Sequence, residues 1–73
     1  MTPTNLNSTS ITAAVYLEQQ ALLEMEFRNG AVYHYIDVPA ATYETFLLAE
    51  SKGAYFNRYI RNRFAYVKIR RES

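Results

Sequence analysis

From Leu22 the chain reads Leu-Leu-Glu-Met-Glu-Phe-Arg, so that apolar Leu23, Met25 and Phe27 alternate with Glu24, Glu26 and Arg28. Alternation at period two is the mark of a strand with one buried face. Ahead of it, "ITAAVYL" is a weaker β-prone run that puts Ile11, Ala13, Val15 and Leu17 on one side. Asn29-Gly30, a strong hairpin signal, then leads into a third strand, "AVYHYID". The first half predicts an antiparallel meander.

The turn at Asn29-Gly30 leaves two registers open. A two-residue turn sets Val32, His34 and Ile36 opposite Phe27, Met25 and Leu23, with Tyr33 and Tyr35 on the face of Glu26 and Glu24. A three-residue loop, Arg28-Asn29-Gly30, with Gly30 as a left-handed bulge residue, shifts the pairing by one. Tyr33 and Tyr35 then join Met25 and Leu23. Those two tyrosines flank the chain's one histidine, His34, and are either core or a stacking platform.

Beyond Pro39, suited to the first position of a helix, "PAATYETFLLAES" puts Tyr43, Phe46, Leu47 and Glu50 on one stripe and Leu48 on the far side. Glu50 beside that stripe calls for a basic partner from the C-terminal segment. "SKG" breaks the helix, and Ser51 is suited to cap the next one. "AYFNRYIRNRF" predicts a second helix with Phe56, Tyr59 and Ile60 inward and Arg58 and Arg61 together on its outward face. "FAYVKIRR" alternates again, as a short fourth strand or an extended arm. The prediction is an α+β domain: a three-stranded antiparallel meander followed by two helices packed on one sheet face.

Composition narrows this. At 73 residues the chain holds one domain, near the size where a core needs help from disulfides, metal, self-association or dense packing. With no cysteine and one histidine, disulfides and thiolate or imidazole-rich metal sites are excluded, and no cofactor or metal is expected. Seven tyrosines and four phenylalanines make aromatic packing the available supplement. Residues 1–9 read as a polar, flexible lead-in, 10–70 as the domain and 71–73 as a tail. There is no run of about 20 apolar residues to span a membrane and no basic-then-apolar signal pattern, so the expected location is the cytoplasm.

Net charge is +1, unevenly spread. Up to Asn57 the bases are Arg28 and Lys52, against Glu18, Glu24, Glu26, Asp37, Glu44 and Glu50. From Arg58 onward Arg58, Arg61, Arg63, Lys68, Arg70 and Arg71 face only Glu72. Such asymmetry points either to an anionic partner or to attraction within the molecule.

In order, Ile11 and Tyr16, "LEMEF", "NG", "YHY", "VP" and "SKGAYFNRYIRNRFAY" resemble the KTSC domain. This small family is named for the C-terminal end of certain lysyl-tRNA synthetases and also occurs as stand-alone bacterial and phage-type proteins. Its central tyrosine-x-tyrosine corresponds to Tyr33-His34-Tyr35. Its serine-x-glycine-x-aromatic-phenylalanine-asparagine run corresponds to Ser51, Gly53, Tyr55, Phe56 and Asn57, followed by Ile60-Arg61 and the closing aromatics Phe64 and Tyr66. The chain departs from the family at Val15, where glycine is expected, and at Leu17-Glu18-Gln19-Gln20, where an aspartate-led turn is expected. The resemblance implies an α+β fold and suggests RNA binding.

The candidate nucleic-acid site is therefore Arg58, Arg61, Arg63, Lys68 and Arg70 for phosphates, with Tyr33 and Tyr35, or Tyr55 or Tyr66, stacking on bases. A nearly neutral domain predicts weak, salt-sensitive binding. The alternative is a protein-interaction module or homo-oligomer using Leu48, Leu22 and a sheet edge. Catalysis is not expected: His34 has no serine or aspartate partner by spacing, and Glu24 and Glu26 read as a solvated strand face.

Overall fold

The computed structural model describes residues 11–70, so the predicted lead-in, the tail and Arg71 lie outside the described residues. Strand β1 (Ile11–Leu17) runs through one turn of 3-10 helix (Glu18–Gln20) into β2 (Leu22–Phe27) and β3 (Val32–Tyr35). Two helices follow, α1 (Ala40–Leu48) and α2 (Lys52–Tyr59), and the chain returns as β4 (Tyr66–Arg70). The sheet is antiparallel in the order β1-β2-β3-β4. The domain is α+β as expected, and the final run is a paired fourth strand.

The β2–β3 hairpin takes the three-residue register. Phe27 N–H donates to the Ala31 carbonyl at 2.9 Å, and Gly30 N–H donates to the Phe27 carbonyl at 2.8 Å. Gly30 has φ 93°, a conformation open to glycine because it lacks a Cβ. The Asn29 side chain accepts from Ala31 N–H at 3.0 Å, closing the loop from within. Met25 therefore faces Tyr33, and Leu23 faces Tyr35.

Two cross-sheet rows face the helices: Tyr16–Leu23–Tyr35–Tyr66 and Ala14–Met25–Tyr33–Lys68. Leu23 and Met25 are fully buried and join Tyr35, Val38, Phe46, Phe56 and Ile60 in the core. The opposite face carries the row Val15–Glu24–His34–Val67. The inner side of β1 is Ile11, Ala14 and Tyr16, not the expected Ile11, Ala13, Val15 and Leu17. An irregularity between Ile11 and Ala13 flips the alternation, because one extra residue exchanges the faces.

The helices are shorter and less regular than predicted. Pro39 is extended at the N-cap of α1, not inside it. Phe46 is buried and Tyr43 stacks on Tyr16 at 5.0 Å, but Leu47 is exposed, and Glu50 is exposed with no ion-pair partner among the described residues. Ser51 caps α2 as expected, its hydroxyl accepting from Ala54 N–H at 3.2 Å. The α2 helix ends at Tyr59, where the Phe56 carbonyl accepts from both Ile60 and Arg61 N–H. Tyr59, expected inward, is exposed and packs on Tyr55 and Arg58.

Where the chain departs from the family pattern, the 3-10 turn ends at Ala21 with φ 52°. The Ala21 carbonyl accepts from Val38 N–H at 2.8 Å, and the Val38 carbonyl accepts from the Tyr16 hydroxyl at 2.6 Å. A Cβ at a left-handed position costs about 1–2 kcal/mol. Ala21→Gly is accordingly expected to raise stability by up to about 1 kcal/mol, and Gly30→Ala to lower it by about 1–2 kcal/mol. Urea unfolding of the two variants checks both signs.

Candidate functional site

The helices do not cover the inner sheet face evenly. Rings of α1 and α2 reach Tyr16, Phe27 and Tyr35, and among the described residues none reaches Tyr66. Between the C-terminal end of α2, the hairpin turn and β4 lies an open cavity of about 770 Å³. That falls within the range of small-molecule sites, roughly 300–1,000 Å³.

Its walls are aromatic: Phe27, Tyr33, Tyr35, Phe56 and Tyr66. Three cations, Arg28, Arg61 and Lys68, and three amides, Asn29, Asn57 and Asn62, line it as well. Among the described residues no carboxylate does. On a chain of net charge +1, that segregation makes one concave, electropositive surface with a partly apolar wall.

The rings are spent largely on one another. Tyr33 lies 6.2 Å from Tyr35 at 23°, meets Phe27 edge-on at 5.7 Å and lies 5.4 Å from Tyr66. The Lys68 ammonium sits 5.7 Å from the Tyr33 ring centre. Tyr35 is 3% exposed, edge-on to Phe56 at 5.4 Å. Tyr66, 55% exposed, is the ring with open surface. The two tyrosines differ: Tyr35 is core and Tyr33 is half-buried, while Tyr66 is the ring left open to solvent.

Burial pushes the Tyr35 phenol up to about 12, with the Tyr33 phenol adding to the rise, the Arg61 guanidinium opposing it and Tyr66 adding again. Tyr35 is therefore a neutral donor at physiological pH. Among the described residues its hydroxyl has no hydrogen-bond partner. Arg61 donates to the Asn57 side-chain oxygen at 3.3 Å and has no carboxylate partner among the described residues.

Of the candidates proposed from sequence, Arg61, Lys68, Tyr33 and Tyr35 come together in this cavity. Arg58 does not: its guanidinium lies 5.7 Å from the Tyr59 ring. The helix ends before Arg61, so the helical spacing that would align the two arginines is interrupted. Arg63 is exposed in the following turn, outside the cavity lining, and Arg70 pairs with Val32 at the end of β4. Asn57, Asn62, Phe27 and Arg28 were not identified from sequence; Asn57 stands in the motif matched to the family, and its spacing of four residues from Arg61 is the local signal that pairs the two.

On the other sheet face His34 Nε2 lies 2.9 Å from Glu24 Oε1. This is the partner that linear spacing did not show, and it follows from the hairpin register. No group of three or more histidine, cysteine, aspartate or glutamate side chains suited to a metal occurs among the described residues. No described helix is long and apolar enough to cross a membrane.

The KTSC domain family matches residues 7–64. A Tsukamurella paurometabola protein is 34% identical over 64 residues, covering 88% of this chain and 96% of that one. A lysine–tRNA ligase of Trichormus variabilis is 43% identical over 47 residues, 64% of this chain but only 8% of the ligase. The crystal structure of a KTSC domain protein from Yersinia pestis superposes with a TM-score of 0.78 at 34% identity, covering 82% of this chain and 84% of that one. Tyr66 and Lys68 lie beyond the matched span.

A phenol whose pKa rises on folding binds its proton more tightly in the folded state. The stability Tyr35 contributes this way is complete below its ordinary value of 10.0 and is lost as pH climbs toward about 12. Wild type is expected to lose stability against Tyr35→Phe across that window and to hold a constant difference below it. Urea unfolding in a pH series, with phenolate absorbance followed in parallel, measures both.

Proposed function

Because the chain belongs to the KTSC domain family, we propose that it is a non-enzymatic RNA-binding domain whose contact surface is the cavity between α2, the β2–β3 turn and β4. The observation that carries this reading is the cavity lining: three cations, aromatic walls and no carboxylate among the described residues. Cations meet phosphates, and an open ring such as Tyr66 stacks on a base with little demand on its identity. Amides at Asn57 and Asn62 add neutral donors and acceptors for base edges or ribose. The lysine–tRNA ligases that share this segment support RNA over other polyanions. A cytoplasmic location goes with this reading.

A second reading, contact with another protein or another copy, rests on apolar surface elsewhere. Leu48 is 86% exposed, and Val15 and Val67 stand exposed on the sheet face away from the helices. The RNA reading ranks first because it uses charge and shape together, whereas scattered apolar residues occur on any surface.

Fluorescence anisotropy with a single-stranded RNA and a tRNA, across a range of salt, tests the proposal. Three phosphate contacts to a single strand predict a log–log salt slope of about −2. Arg61→Glu is expected to weaken binding at least about tenfold, and Arg58→Glu, off the cavity, to change it little. Absence of binding at low salt, or equal effects of the two variants, removes the cavity as an RNA site.

A further inference from the structure

Tyr35 combines two properties that rarely coincide. It is 3% exposed, and among the described residues its hydroxyl meets no hydrogen-bond partner. Buried polar groups are almost always satisfied, so a single exception calls for an explanation. Tyr35 lines the cavity, together with the two phenols and the guanidinium close enough to shift its own protonation, Tyr33, Tyr66 and Arg61.

We propose that the Tyr35–Tyr66–Arg61 corner of the cavity is a phosphate site that receives a terminal phosphate end-on. Phenols and a guanidinium are donors to oxygen, and charge-assisted bonds to an oxyanion are the strong members of that class. Arg61 is already oriented by the neutral Asn57 at 3.3 Å, which leaves its charge uncompensated by any described carboxylate. Tyr35 is the most buried of these donors, and a group must protrude to reach it. A terminal phosphate presents three oxygens at the end of a chain, whereas an internal phosphodiester carries chain on both sides. Stacking by Tyr33 and Tyr35 is not what the corner offers, since their rings pack against Phe27, Phe56, Tyr66 and each other.

The inference uses the same cavity as the RNA reading but stands on the chemistry of the phosphate, which a strand end or a free mononucleotide supplies equally. One short single-stranded RNA is prepared with a 5′-phosphate, with a 3′-phosphate and with neither, and each is titrated beside adenosine monophosphate and inorganic phosphate. A preference of about tenfold or more for a phosphorylated end, lost in both Tyr35→Phe and Arg61→Gln, is the expected result. Tyr35→Phe removes a hydroxyl with no described partner, so the variant should melt no lower than wild type below pH 10 while losing the preference. Equal affinity for all three strands, unchanged in Tyr35→Phe, overturns the phosphate site and leaves the RNA reading standing. Binding of the mononucleotide and inorganic phosphate without any strand supports the phosphate site and overturns the RNA reading. Folded Tyr35→Phe that keeps the full preference removes Tyr35 from the assignment.

Discussion

One three-residue loop decides which way the sheet faces. The bonds from Phe27 N–H to the Ala31 carbonyl and from Gly30 N–H to the Phe27 carbonyl close Arg28-Asn29-Gly30 around a left-handed glycine. Side chains along a strand alternate, so a turn one residue shorter would exchange the two faces of β3. Tyr35 would then leave the core and His34 would enter it. The Glu24–His34 pair, the tyrosine cluster and the position of β4 against β3 all follow from that closure. The burial of Leu23 and Met25 on the same face reinforces it, because only this register adds the tyrosines to an apolar layer.

The small size of the domain explains why its cavity is lined by its core. Two short helices cover the sheet over Tyr16, Phe27 and Tyr35 and stop before β4. A larger protein would carry another element there. Here the uncovered ground is bordered by rings that already serve the core on their other sides, so the cavity is lined with rigid aromatics whose positions are set by packing. Rigid elements hold polar groups in fixed relation more precisely than loops do. The tyrosines thus contribute apolar bulk inward and phenol oxygens at the margin.

Charge is sorted in the same way. The basic C-terminal segment does not form one strip. Arg61 and Lys68 turn to the cavity, Arg58 lies on Tyr59, and Arg63 projects from a turn. Arg28, from the mostly acidic first part of the chain, joins the cavity because it sits in the hairpin loop. Glu24, by contrast, lies on the other sheet face against His34, 40% exposed beside a histidine 25% exposed, where such a pair contributes about 0–1 kcal/mol.

The alternation of Leu23, Met25 and Phe27 with acids, the Asn29-Gly30 turn, the Ser51 cap and the ordered family motifs determined by themselves that this is an α+β domain with a hairpin at its centre, because each is a local signal read over a few residues. The faces of β1 were not legible, since an irregularity near Thr12 reverses the alternation without a residue that announces it. Nor was the end of α2 at Tyr59, which rests on one carbonyl accepting from two successive N–H groups. Tertiary structure decided between the two registers of Tyr33 and Tyr35, through the burial of Leu23 and Met25 on one face, and decided that Arg61 rather than Arg58 meets Tyr35 and Tyr66. Those choices depend on contacts between residues far apart in the chain, and a periodicity within one segment carries no information about what lies across from it.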